Sequence, residues 1–228
     1  KTVKTHITCY VQDNEQGAEM LSALNGMLTE LKEKDTENFY GSLDVEIDCV
    51  REEDWANNWK QYYKPFTVGE KLIVKPSWEE IENSDGRKVL EIDPASSFGT
   101  GQHHTTRLVM ELIEKELNDG DRLLDLGTGS GILSIAALLL GAKEVTMVDI
   151  FENSVNTAVE NTEKNGFGKD KVSAYIGDIS SDETLRDKIG TGYDMITANI
   201  VADVIISMSP FFTGFLKQGG KLIISGII

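Results

Sequence analysis

From Arg122 onward the chain alternates two hydrophobic periodicities, and that alternation restricts its fold more than any other feature. RLLDLG, VTMVDI, VSAYIGD, YDMITANI and KLIISGII are apolar runs of strand length. Between them, Ile132 to Leu140 and Asn153 to Lys164 read as helices, the second closed by the Asn165-Gly166 stop, and helical or irregular stretches part the remaining strands. Near-continuously apolar strands joined through helices make a parallel sheet that is covered on both faces. The predicted fold class is therefore α/β. In sheets of this kind ligands bind at the carboxyl ends of the strands, near the point where the strand order reverses.

The sequence before Arg122 has a different grain. THITCYV (Thr5 to Val11) reads as a strand, and Gly17 to Lys34 as a helix with Leu21, Leu24, Leu28 and Leu31 on one stripe. SLDVEIDCV (Ser42 to Val50) alternates apolar and polar residues as a half-buried strand does. EEDWANNWKQYYKPF then carries Trp55 and Trp59 at i, i+4 and ends at Pro65, the pattern of a short connecting helix. EKLIVKP and GRKVLEID are two further strands with a turn near Asp85-Gly86, and Thr105 to Leu117 is a helix. The expected domains are residues 1–50, a linker helix at 51–64, and a larger domain at 65–228.

The first strand of the alternating region runs into DLGTGSG, in which Gly127, Gly129 and Gly131 permit a tight turn and a close approach of backbone to ligand. No Gly-Lys-Ser/Thr follows, so this is not a nucleoside-triphosphate loop. A dinucleotide fingerprint from Gly127 needs glycine where Ile132 stands. Asp125, just before the turn, would repel a pyrophosphate and welcome a cation, which makes a nicotinamide dehydrogenase a poor reading. S-adenosylmethionine, with a sulfonium, an ammonium and no phosphate, suits the loop. Asp149 ends the next strand, where a carboxylate can accept both ribose hydroxyls. Asp178, in IGDI, is placed to take an adenine amino group.

DLGTGSGILSIAALLLGAKEVTMVDI resembles the first two motifs of class I methyltransferases. SFGTGQHHTT, ANIVADVI and KLIISGII, with EEDWANNWKQYYKPF and KPSWEE before them, are similar to the PrmA-type family that methylates ribosomal protein L11. The resemblance runs from about Glu52 to the end and more faintly before it. It implies a Rossmann-like class I methyltransferase sheet with a small α+β, partly ferredoxin-like, N-terminal domain. It implies S-adenosyl-L-methionine as cofactor, with Phe98 and Thr106 beside it. It also implies that SFGTGQHHTT folds over the cofactor on Gly99 and Gly101. The family usually has proline where His104 stands, so a less stiff loop is expected here. His103 matches the family position, in a structural or a catalytic role. Two adjacent histidines without a third ligand make a poor metal site.

An amine acceptor must be neutral to react, and free lysine has a pKa of about 10.4. Asn199, ending YDMITANI, is the candidate catalytic residue, through a carbonyl aimed at an amine N–H, and is also expected among the cofactor-binding residues; its alternative role is to cap the next helix. Amino-methyltransferases of planar substrates place Pro-Pro-aromatic after this position. The chain has Ile200-Val201-Ala202 instead, which leaves room for an aliphatic amine. The expected function is methylation of lysine or α-amino groups of a large-subunit ribosomal protein. The rival readings are a small-molecule methyltransferase and a catalytically silent ribosomal-protein escort.

A formal charge of −16 with no Lys/Arg cluster argues against direct nucleic-acid binding and suits a basic ribosomal client. No apolar run reaches the roughly 20 residues of a membrane span. Cys9 and Cys49 read as reduced thiols of a cytoplasmic protein, and a monomer is expected. Against the family pattern both ends look short: the first domain shows only its second half, and KLIISGII stands where further strands usually follow.

Overall fold

The computed structural model describes residues 11, 15–37, 39–47, 63–93 and 103–226. The chain divides into two compact units, Lys1–Asn58 and Trp59–Ile228. Thr5–Tyr10, Cys9, Cys49, Phe98, Gly99, Gly101 and the Trp55–Trp59 pair lie outside the described residues, as does most of the expected linker helix.

In the first unit, α1 (Glu15–Lys34) forms where the leucine stripe predicts it, with Leu21, Leu24 and Leu28 half-buried. Past its end the Asp35 carboxylate accepts from the backbone N–H groups of Phe39 and Tyr40, both at 2.8 Å. The strand expected at Ser42–Val50 is not found over its described part. Gly41 to Ile47 carries no ladder, Leu43 has φ 47°, and Val45 and Ile47 are exposed. An alternating pattern becomes a strand only against a partner, and the partner expected from the sequence falls almost wholly outside the described residues.

The second unit opens with a three-stranded sheet of β1 (Phe66–Val68), β2 (Leu72–Lys75) and β3 (Lys88–Glu91), in the order β1-β2-β3. β1 and β2 are antiparallel, whereas β2 and β3 are parallel. Sequence reading misses β1 because three residues after Pro65 are too few to show a period. The helix α2 (His104–Glu116) follows.

Five parallel strands then form the main sheet: β4 (Arg122–Leu126), β5 (Glu144–Asp149), β6 (Val172–Ile176), β7 (Tyr193–Asn199) and β8 (Leu216–Ser225), in the order β6-β5-β4-β7-β8. The helices α3 (Ile132–Leu140), α4 (Glu152–Lys164), α5 (Glu183–Ile189) and α6 (Ala202–Phe215) occupy the crossovers. The chain winds outward from β4 in one direction through β5 and β6, then returns to add β7 and β8 on the other side. The switch point therefore lies between β4 and β7. Residues of β4 alternate between two cores: Leu123 packs in one with Ile135 and Val109, Leu124 and Leu126 in the other with Ile205 and Phe212. That is the two-sided burial which the apolar strand runs require.

Pro210 sits inside α6 and removes the donor that would bond Ile206. The Ser209 hydroxyl donates to the Ile206 carbonyl at 2.7 Å, so the acceptor is still satisfied and the helix continues. Among the described residues no helix is long and apolar enough to cross a membrane.

Candidate functional site

Because all five strands run the same way, their carboxyl ends share one edge, and the polar residues singled out by sequence gather there. The loop after β4 comes first. Gly127, Gly129 and Gly131 all have positive φ (72°, 56° and 83°). Each has a different reason to be glycine. A Cβ on Gly127 would lie 2.3 Å from Ile200 Cγ2, and one on Gly131 would lie 3.0 Å from the Ala158 Cα, whereas one on Gly129 would meet nothing within 4 Å among the described residues. Two glycines thus let the loop press against Ile200, just after β7, and against α4, and the third leaves a face open among the described residues.

Asp125 does not serve that open face. It is fully buried, and its carboxylate accepts from the hydroxyls of Thr128 (2.8 Å), Ser134 (2.9 Å) and Thr197 (2.8 Å). Burial pushes its pKa up; the three hydroxyls pull against that, and the nearby Asp149 charge adds to it. The attraction for a cation inferred from sequence is therefore corrected: Asp125 ties the glycine loop to α3 and to β7. Sequence reasoning missed its three hydroxyl partners, although the polar Thr128, Ser134 and Thr197 within otherwise apolar or glycine-rich runs were the available signal.

Asp149 ends β5 and is largely buried, 9% exposed. Oδ2 accepts from the Gly129 N–H and Oδ1 from the Phe151 N–H, both at 3.0 Å. The carboxylate thus lies against the open glycine. Ile150 and Phe151, 56% and 65% exposed, add an apolar surface beside it that the sequence reading did not single out.

Asp178 follows β6 and turns toward its own loop. Oδ1 accepts from the Ser180 N–H at 2.8 Å, and Oδ2 from the hydroxyls of Ser180 (2.7 Å) and Ser181 (3.3 Å). The Ser180 hydroxyl is the main reason its pKa lies below the usual carboxylate range; burial opposes that shift, and the Ser180 N–H and Ser181 hydroxyl support it.

On the far side of the switch point Asn199 ends β7, half-buried. Its Nδ2 donates to Thr106 Oγ1 at 3.1 Å, joining two candidate residues that are 93 positions apart. Thr106 is 7% exposed in the first turn of α2. The capping alternative for Asn199 fails, since Val201 is the N-cap of α6 and that end has no side-chain cap. His103 is itself a cap: its Nδ1 accepts from the Thr105 N–H at 3.3 Å and lies 2.7 Å from the Thr105 hydroxyl. This gives His103 a structural task at the start of α2.

The structure thus brings together Gly127, Gly129, Asp149, Asn199 and Thr106, and holds Asp178 at the same sheet edge. An open glycine beside a strand-end carboxylate and exposed apolar side chains fits a nucleoside without phosphates. Backbone can approach such a ligand at Gly129, and among the described residues no Lys or Arg is bonded to the glycine loop.

A family model described as ribosomal protein L11 methyltransferase (PrmA) matches residues 2–228. The chain is similar to proteins named ribosomal protein L11 methyltransferase from Lachnospira eligens (38% identical over 99% of this chain and 70% of the relative) and Agathobacter rectalis (40%, over 98% and 70%). It is likewise similar to the protein so named from Syntrophomonas wolfei (42%, over 92% and 65%). It spans 65 to 70% of the length of these relatives. A crystal structure of ribosomal protein L11 methylase from Lactobacillus delbrueckii subsp. bulgaricus is similar at 32% identity and a TM-score of 0.64, over 72% of this chain and 81% of that one. The chain belongs to the ribosomal protein L11 methyltransferase (PrmA) family.

Proposed function

We propose that this member of the family is an S-adenosylmethionine-dependent methyltransferase acting on lysine side chains or the α-amino group of ribosomal protein L11. The observation that carries the reading is the Asn199–Thr106 pair, set across the switch point from an open glycine loop and the Asp149 carboxylate.

The cofactor would lie along the loop. Asp149 would receive the ribose hydroxyls, the exposed Ile150 and Phe151 would border the adenine, and Asp178 Oδ1 would keep a lone pair for the adenine amino group. Gly127 and Gly129 would admit the rest of the ligand to the backbone, with Thr106 on the opposite side; Phe98 is a further cofactor contact that the family resemblance implies. When bound, S-adenosylmethionine supplies an electrophilic methyl group on a sulfonium.

The chain's own residues have to present a neutral amine. The bond from Nδ2 to Thr106 fixes the Asn199 carboxamide and leaves Oδ1 as an acceptor. An amine N–H donating to Oδ1 is held in one orientation, so its lone pair has a fixed direction. Positioning of this kind accounts for much of the rate in such reactions. The partly buried setting favours the uncharged amine over the ammonium, and the amine gives up a proton to solvent once its new N–C bond has formed. Ile200-Val201-Ala202 places no aromatic face there, which suits a flexible aliphatic substrate.

Residues 1–50 would recognise the substrate protein, 51–64 would link, and 65–228 would carry out catalysis, in a cytoplasmic monomer without direct nucleic-acid contact. The test combines calorimetric binding of S-adenosylmethionine with transfer of radiolabelled methyl groups to purified L11. Saturable binding is expected, lost in Asp149→Ala. Transfer at saturating cofactor is expected to fall about a hundredfold in Asn199→Ala, beyond any loss of cofactor affinity. Binding without transfer would leave a silent escort. Absence of binding would reject the methyltransferase reading.

A further inference from the structure

β3 is an edge strand of the small sheet, yet its free edge is occupied. Asn161 of α4 and Asn165, the residue that caps its C-terminus, lie about one turn apart and face it. Asn161 Oδ1 accepts from the Asp93 N–H at 3.2 Å, and its Nδ2 donates to the Asp93 carbonyl at 3.1 Å. Asn165 repeats the pair at Glu91, accepting from its N–H at 2.9 Å and donating to its carbonyl at 2.6 Å. Alternate residues of a strand present their backbone groups to the same side. Four helical residues rise about 6.0 Å and two strand residues about 6.6 Å, so side chains at i, i+4 can follow a strand edge. The two carboxamides stand in for a fourth strand.

The two residues differ in their second donation: Asn165 Nδ2 donates to the Asn161 carbonyl at 2.7 Å, whereas Asn161 Nδ2 donates to the Ser130 carbonyl at 2.9 Å, and Ser130 sits between Gly129 and Gly131. Asn161 is 1% exposed, and α4 approaches the loop closely enough that a Cβ on Gly131 would meet Ala158. Glycines on both sides of Ser130 leave the loop little stiffness of its own. Its shape is held by several hydrogen bonds: the Thr128 hydroxyl to Asp125, the Gly131 N–H to the Thr128 carbonyl at 2.9 Å, the Gly129 N–H to Asp149 on one side, and Asn161 to the Ser130 carbonyl on the other.

We infer that Asn161 is a positioning residue for cofactor binding, which holds the Gly129–Gly131 loop in its receiving shape by joining the Ser130 carbonyl to the end of β3. The inference rests on the proposed use of that loop for S-adenosylmethionine. Ordering the loop in advance removes a cost that binding would otherwise bear.

Asn165 provides the internal control, because it supports the same strand without touching the loop. The experiment measures the thermal midpoint and the S-adenosylmethionine Kd for the unaltered chain, Asn161→Ala and Asn165→Ala. Both variants are expected to melt earlier by similar amounts. Only Asn161→Ala is expected to raise Kd, by about tenfold, with Asn165→Ala within about twofold of the unaltered chain. If Asn161→Ala does not fold, Asn161→Ser is compared with Asn165→Ser by the same two measurements. An equal change of Kd at the two positions, or none at Asn161, overturns the inference and leaves the cofactor reading standing. Failure of the unaltered chain to bind overturns both.

Discussion

Asn199 and Thr106 depend on each other in a way that no local pattern shows. Thr106 supplies an acceptor from α2, and Asn199 gives one N–H of its carboxamide to it, which fixes the plane of that group. Thr106→Val keeps the size and shape of the side chain and removes only that acceptor. We expect the methyl-transfer rate to fall about tenfold in this variant, with the fold intact, as the carboxamide turns to find another partner. Thr106→Ser, which restores the hydroxyl, should recover most of the rate. Steady-state kinetics of the two variants check this, and equal rates in Thr106→Val and the unaltered chain would count against an oriented Asn199.

The glycine loop is the element on which the site turns, and its glycines are not equivalent. Gly127 meets Ile200 of the segment after β7, whereas Gly129 faces open space. Alanine at either position pays for a left-handed backbone, about 1 kcal/mol or somewhat more. At Gly127 it also meets the Cγ2 methyl of the half-buried Ile200, and the total cost should be about 3 kcal/mol. Urea denaturation should therefore rank Gly127→Ala well below Gly129→Ala in stability. Adding Ile200→Ala, which removes Cγ2, should return part of the loss. Cofactor affinity should show the reverse order, since a methyl group at Gly129 occupies the ligand's side of the loop. The same ranking in both measurements would refute this division of roles.

At the level of the whole molecule, charge sets how a partner is met. Thirty-eight acidic residues against 22 basic ones leave the formal charge at −16. Such a surface accelerates encounter with a basic protein, and salt weakens the effect because the Debye length shortens from about 10 Å at 0.1 M to about 3 Å at 1 M. For transfer to L11, kcat/KM should fall several-fold between about 50 and about 500 mM salt, while the S-adenosylmethionine Kd changes little. A salt-independent kcat/KM would remove charge from the account of partner choice.

The alternating sheet, the order of its elements and the position of Gly127, Gly129, Asp149 and Asn199 at strand ends were legible in the sequence, because period and glycine spacing are local properties. The family resemblance was legible for the same reason. The Ser42–Val50 strand was misread over its described part, since alternation states which face could be buried but does not supply a partner. The three-residue β1 was missed because it is shorter than any period. Asp125 was assigned to a ligand when its real partners are three hydroxyls, two of them nearby in sequence and the third on β7. The Asn199–Thr106 bond and the reach of Asn161 to Ser130 and Asp93 span 93, 31 and 68 positions, and no sequence window contains them. Local periodicity determined which elements form; the packing of α2 and α4 against the sheet edge decided which of their polar atoms meet, because hydrogen bonds depend on distances that only the folded chain defines.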